Sequence, residues 1–233
     1  MSFARHFALS AAVCGLLAPL APGQGDADLP RLPNPVVVAE RLAGQLVRLD
    51  GETGELVDYA LDPETAIEHF LLFYTAGWSP SSQKFAPALV RFYEEQKAAG
   101  ASFEVVMVSV DDSEKEMLAH MKDIKMPWPA VRFGSVEVGA SAPQDESDEN
   151  EDEDQPAPPP NPLEFIEQAA GRGVPCVVVM DSRGLILAHS YKRRKEYLGA
   201  EEPLEEFSKL LAQAAEKRAA REAEAKGGEG AEE

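Results

Sequence analysis

The stretch Phe70-Leu-Leu-Phe-Tyr-Thr-Ala-Gly-Trp78-Ser79-Pro80-Ser81-Ser82-Gln-Lys-Phe85-Ala-Pro87 decides the fold. Phe70 to Ala76 is a continuous apolar run, as expected of a strand buried on both faces. A helical pattern follows from about Ser81 to Ala99. Phe85, Leu89 and Phe92 fall on one face at spacings of four and three, and Gly100 ends it. Pro87 sits inside this helix and should kink it, because it lacks the backbone donor. Ser79 and Ser82 stand at the helix start, where serine hydroxyls cap free N–H groups.

Working downstream, Phe103-Glu-Val-Val-Met-Val-Ser-Val110 is a second buried strand. The strand–helix–strand unit should pair in parallel with a right-handed crossover. Ser113 with Glu116 fits a capping box for a helix carrying Met117, Leu118 and Met121. After Met126-Pro-Trp-Pro-Ala-Val131 the composition breaks. Residues 137–161 form an acidic and proline-rich insertion, with eight carboxylates in the ten positions from Asp145 to Asp154. Like charges repel and prolines favour extended backbone, so disorder is expected there. A short helix is expected near Leu163–Ala170. Val174–Asp181, a Ser182-Arg-Gly184 turn and Leu185–His189 then read as a β-hairpin. A last helix from about Pro203 to Lys226 turns Leu204, Phe207 and Leu211 inward, while its second half projects into solvent.

Upstream, Gln45–Asp50 and Glu55–Ala60 flank Gly51-Glu-Thr-Gly54 and read as a hairpin, an N-terminal β extension of the body. Residues 24–34 read as a linker. The N-terminus has a short basic start at Arg5 and His6, then an almost uncharged run from Phe7 to Ala21. That is the pattern of a secretory signal over residues 1–23, so an exported, periplasmic or extracellular protein is expected. Residues 35–216 are then one domain, and 217–233 a charged helical or loose tail.

The chain has 233 residues, with 22 Lys+Arg against 41 Asp+Glu, a formal charge of −19. That sign argues against nucleic acid or an anionic membrane as partner, since both repel it. Apolar residues make up 44%, too many for a wholly disordered chain. No apolar run is long enough for a membrane span in the mature chain. Of the two cysteines, Cys14 lies in the signal segment. Cys176 would then be the single mature thiol, which excludes an intramolecular disulfide, a Cys-rich zinc site and a dithiol centre.

The segment around Trp78-Ser79-Pro80-Ser81-Ser82 resembles the active-site segment of the thioredoxin-like family, and more closely its tryparedoxin and nucleoredoxin branch. Phe103–Val110, Glu114-Lys-Glu-Met117, Met126–Val131 and Gly173-Val-Pro175 with its following strand agree with that branch in order. The resemblance covers roughly residues 35–210 apart from the acidic insertion. It implies an α/β thioredoxin-like fold, a central mixed β-sheet flanked by helices. It also implies thiol–disulfide oxidoreductase chemistry at Trp-Cys-x-x-Cys. There the first thiol sits at a helix N-terminus that lowers its pKa, and the second resolves the mixed disulfide. Ser79 and Ser82 occupy those two positions here. A hydroxyl does not ionise usefully near neutral pH and forms no disulfide, so the resemblance implies a degenerate redox site with no catalytic residue.

Pro175 matches the family's cis-proline, which shapes a groove for extended substrates; alternatively it only fixes a turn. Trp78, Ser79, Pro80, Ser81, Ser82, Val174 and Pro175 are the groove candidates. Serine nucleophilic catalysis would need a base in reach, and His6, His69, His120 and His189 form no recognisable motif near Ser79. Cys176 follows Pro175 on a strand, so its side chain should face away from the groove as an inert core thiol. Trp128 either flanks the groove or completes the core. No cofactor and no specific metal site are expected, because the histidines lack i, i+4 pairing and the acidic run lacks the spacing of a calcium loop.

The leading expectation is a redox-inactive module holding an extended polypeptide or partner protein. One alternative is an oxidoreductase acting through Cys176 alone. Another is a structural domain assembling through its acidic insertion.

Overall fold

A computed structural model describes residues 29, 32–34, 36–138, 161–193 and 195–228. The expected signal segment over 1–23, most of the expected linker, most of the acidic insertion and the last five residues lie outside these. The first described elements are a short helix α1 (Val38–Leu42) and an antiparallel hairpin, β1 (Leu46–Leu49) with β2 (Leu56–Tyr59). Then come β3 (His69–Thr75), α2 (Pro80–Ala98), β4 (Phe103–Ser109), α3 (Glu114–Asp123) and β5 (Ala130–Val131). Beyond the insertion follow α4 (Glu164–Ala169), β6 (Cys176–Asp181), β7 (Ile186–His189), a small pair β8 (Tyr191–Lys192) and β9 (Glu196–Tyr197), and α5 (Glu201–Gly228).

Seven strands form one mixed sheet in the order β2-β1-β5-β4-β3-β6-β7. β3 pairs in parallel with β4, from His69 opposite Phe103 to Thr75 opposite Ser109. On its other side β3 runs antiparallel to β6, with Tyr74 opposite Cys176. The expected parallel unit and the 174–189 hairpin are therefore both present. The N-terminal hairpin is more than an appendage. β1 pairs with β5, which in turn pairs with β4, so the hairpin extends the central sheet itself.

The apolar runs are continuous because both faces of the sheet are covered. Side chains alternate along a strand. Leu71 and Phe73 of β3, with Val105 and Met107 of β4, face a core built with Phe85 and Leu89 of α2, Met117 and Met121 of α3, and Phe207 and Leu211 of α5. Phe70, Leu72 and Tyr74, with Val106 and Val108, face the second core. There α1 contributes Val38 and Leu42, and α4 contributes Phe165 and Ile166.

The expected capping box is half formed at α3: Ser113 Oγ accepts from the Glu116 N–H at 3.3 Å, while the Glu116 carboxylate takes the Ser113 hydroxyl at 3.0 Å in place of the Ser113 backbone N–H. α2 runs on through Pro87 as one helix. α5 continues well past residue 217, and Arg218 reaches back to donate to the Gly100 carbonyl at 3.2 Å. No helix among the described residues is long and apolar enough to cross a membrane.

Candidate functional site

Parallel pairing brings the C-terminal ends of β3 and β4 side by side, and the chain leaves both toward the same edge of the sheet. Ligands of open α/β sheets gather in the crevice outside such strand ends. Two loops meet here, residues 76–79 after β3 and 110–113 after β4.

The first loop is a turn closed by the Ser79 N–H donating to the Ala76 carbonyl at 3.2 Å. It projects Trp78, which is 60% exposed, while its indole N–H donates to the Val110 carbonyl of the other loop at 3.2 Å. That bond holds a large apolar ring in water beside the junction. Ser79 is the N-cap of α2: its backbone is extended, and its hydroxyl accepts from the Ser82 N–H at 3.3 Å. Pro80 takes the first helical position, where its missing N–H costs nothing. Ser79 is 5% exposed and Ser82 is fully buried, whereas Pro80 and Ser81 lie on the surface.

Serine capping is therefore divided between the two residues. Ser79 caps, but Ser82 does not; its Oγ is buried with no hydrogen-bond partner among the described residues. The expectation that both hydroxyls cap is corrected at Ser82, because that side chain points into protein rather than back to the free N–H groups.

The junction is held by Asp111, which the sequence did not bring forward, and by His120, named there only among histidines without a motif near Ser79. Asp111 accepts from the Gly77 N–H at 2.7 Å with one oxygen and from Ser109 Oγ at 2.8 Å with the other. His120 of α3 shares a 3.0 Å hydrogen bond with Thr75 Oγ1, and both are buried. A Cβ on Gly77 would stand 3.1 Å from His120 Cβ, a tight contact that would push α3 back by a few tenths of an ångström. The signal for Asp111 was present: an acidic residue just past the second strand, beside a glycine just past the first. Nothing local marks His120, because its partner lies 45 residues away.

The Val174–Pro175 peptide bond is cis, and Pro175 lies just outside the Tyr74–Cys176 strand pair, at the same edge of the sheet as the loop. Its carbonyl accepts from the Tyr197 hydroxyl at 2.9 Å. Pro175 is buried and Val174 half-buried. Cys176 points into the second core and is 0% exposed, where burial pushes its thiol up to about 12. A thiol so placed is scarcely ionised near neutral pH and is closed to solvent. Trp128 completes the first core at 1% exposure and lines no groove. Among the described residues, no three His, Cys, Asp or Glu side chains converge as a metal site would require.

A family model described as thioredoxin-like matches residues 68–186, just over half of the chain. The chain belongs to the thioredoxin-like family. This thioredoxin-like chain is 40% identical over 65 residues to "Probable nucleoredoxin 2" of Oryza sativa subsp. japonica, covering 28% of the chain and 16% of that protein. It is 31% identical over 96 residues to nucleoredoxin of Homo sapiens, covering 40% and 20%. It is 40% identical over 62 residues to tryparedoxin of Trypanosoma brucei brucei, covering 27% and 41%. The matches thus span between about a sixth and two fifths of these relatives' own length. Among solved structures, thioredoxin from Wuchereria bancrofti aligns with a TM-score of 0.45 at 22% identity, covering 74% of this chain and 97% of that one.

The junction also carries a pH signature. Burial lowers the pKa of His120, opposed by the charges of Asp111 and Asp123. Burial lowers that of His69 as well, opposed chiefly by Glu68 and Asp181. A depressed histidine pKa means that the unfolded chain takes up protons the folded chain refuses. Stability is then held above the unfolded value, about 6.5, and falls as pH drops below it. Urea midpoints should decline from pH 7.0 to pH 5.5, before most carboxylates titrate. His120→Gln, which keeps a partner for Thr75 without titrating, should flatten that decline. A wild-type midpoint that rises over this interval would refute the assignment.

Proposed function

We propose that this thioredoxin-like protein binds an extended polypeptide or partner protein at the β3–α2 junction without dithiol–disulfide turnover. The observation that carries the reading is the pair Ser79 and Ser82. One caps α2 and the other is buried on its first turn, the arrangement a dithiol centre would need if both were thiols. Residual redox chemistry through Cys176 is disfavoured by its complete burial and raised pKa. Exposed Trp78, anchored at the edge of the junction, supplies an apolar contact for a bound chain. Export is part of the proposal and rests on the basic start and apolar run of residues 1–23.

The test is reduction of insulin by dithiothreitol, followed by turbidity, with the full chain at micromolar concentration. The expected result is a rate equal to the uncatalysed background. An acceleration of tenfold or more would reject the redox-inactive reading.

A further inference from the structure

A cleft of about 470 Å³ opens beside Trp78, between the loop after β4 and the segment that follows β5. Its wall carries Asp111, Asp112 and Glu137, and its apolar lining includes Trp78 and Phe133. The one basic side chain on the lining, Arg132, is paired with Asp58 at 2.9 Å. The three carboxylates have no ion pair with any described residue. Asp111, itself only 8% exposed, is satisfied among the described residues by neutral donors, the Gly77 N–H and the Ser109 hydroxyl, so its charge is hydrogen-bonded but not ion-paired. Asp112 and Glu137 are exposed. The cleft therefore joins a negative wall to a fixed, 60% exposed indole.

Resting on the partner-binding reading above, we infer that the cleft selects a basic extended polypeptide segment, with an arginine or lysine side chain lying along Trp78 and Phe133 and its cation against Asp111, Asp112 and Glu137. An indole face attracts a cation, and a guanidinium also stacks on it. The alkyl stem of such a side chain covers apolar lining while its head meets the carboxylates. Acidic segments meet like charge on approach, and the chain's net charge of −19 extends that discrimination beyond the contact itself.

The test is fluorescence anisotropy with three dye-labelled decapeptides, alternating alanine with arginine, serine or glutamate, titrated with the full chain at low and physiological salt. The arginine peptide should bind at least tenfold more tightly than the serine peptide, and the glutamate peptide should not bind. Trp78→Ala should weaken the arginine peptide at least tenfold, and the exposed pair Asp112→Asn with Glu137→Gln at least fivefold. A full-length variant with the eight carboxylates from Asp145 to Asp154 changed to their amides separates the cleft from the acidic tract. It should bind the arginine peptide within threefold of wild type. If that variant loses binding while the cleft variant keeps it, the inference is overturned. Trp78-dependent binding of the serine or glutamate peptide with equal strength overturns the basic preference but leaves the groove reading standing. Absence of Trp78-dependent binding for all three overturns both.

Discussion

Replacing Ser79 and Ser82 together by cysteine should turn the protein into a catalyst of insulin reduction, with a rate at least tenfold above wild type. The argument starts from geometry. Residues three apart on a helix have Cβ atoms about 5–6 Å apart, and Cα atoms of bridged cysteines lie within about 4.4–6.8 Å. Ser79 Oγ already reaches the Ser82 backbone at 3.3 Å. A thiol at the N-cap would face the positive end of a 19-residue helix, which favours the thiolate. Two stability effects oppose each other. Loss of the Ser79 cap costs about 1 kcal/mol. Replacing the buried, unpartnered Ser82 hydroxyl by a weakly polar thiol removes a burden of about 1–3 kcal/mol. The double variant should therefore fold with stability near wild type, and urea titration checks this independently. Ser79→Cys alone lacks the resolving thiol: its thiolate should attack a disulfide of oxidised insulin, release one insulin sulfur as thiolate and, in the absence of dithiothreitol, accumulate as a long-lived mixed disulfide. A double variant that forms the 79–82 disulfide but stays at background would mean that the junction no longer presents sulfur to a substrate.

The body of the fold was legible in the sequence where periodicity spoke. β3 and β4 announce themselves because both faces are covered, so their apolar runs are unbroken. α3 announces itself through Ser113 and Glu116. β5 was not legible. Ala130 and Val131 are two residues between prolines and a loop, and they become a strand only because Met107 on one side and Val47 on the other offer partners. α1 escaped for a related reason: Val38 and Leu42 are one i, i+4 pair, too short to define a period. The site divides in the same way. Trp78 to Ser82 and Pro175 were visible through the family resemblance. Asp111 left a signal in its place just past β4, but His120 reaches the junction across 45 residues, and no local pattern records a contact of that range. The cleft combines both cases. Its Trp78 wall was among the groove candidates, but its carboxylate wall is assembled from the ends of separate strands.

Phe207→Ala should produce the largest loss of stability among single substitutions considered for this chain, about 3–5 kcal/mol by urea titration. Phe207 is 0% exposed and holds α5 against the sheet. Its ring lies 5.3 Å from that of Phe103 and 5.6 Å from His69 in edge-on packing, and 6.0 Å from Phe92. Removing it leaves a cavity among three partners, and each aromatic pair adds about 0.5–1.5 kcal/mol beyond burial alone. A domain of ordinary stability has about 5–15 kcal/mol in total, so the loss would leave a marginal fold. The exposed Glu206–Lys209 pair provides the contrast on the same helix. Lys209→Ala should change stability by less than about 1 kcal/mol, as surface ion pairs do. His69 gives a second readout. Its Nδ1 is buried without a partner among the described residues, and burial lowers its pKa. Water entering the Phe207 cavity should bring that pKa back toward the ordinary histidine value, followed by the shift of its ring protons with pH. If Phe207→Ala cost no more than Lys209→Ala, α5 would not be anchored to the first core by its apolar stripe.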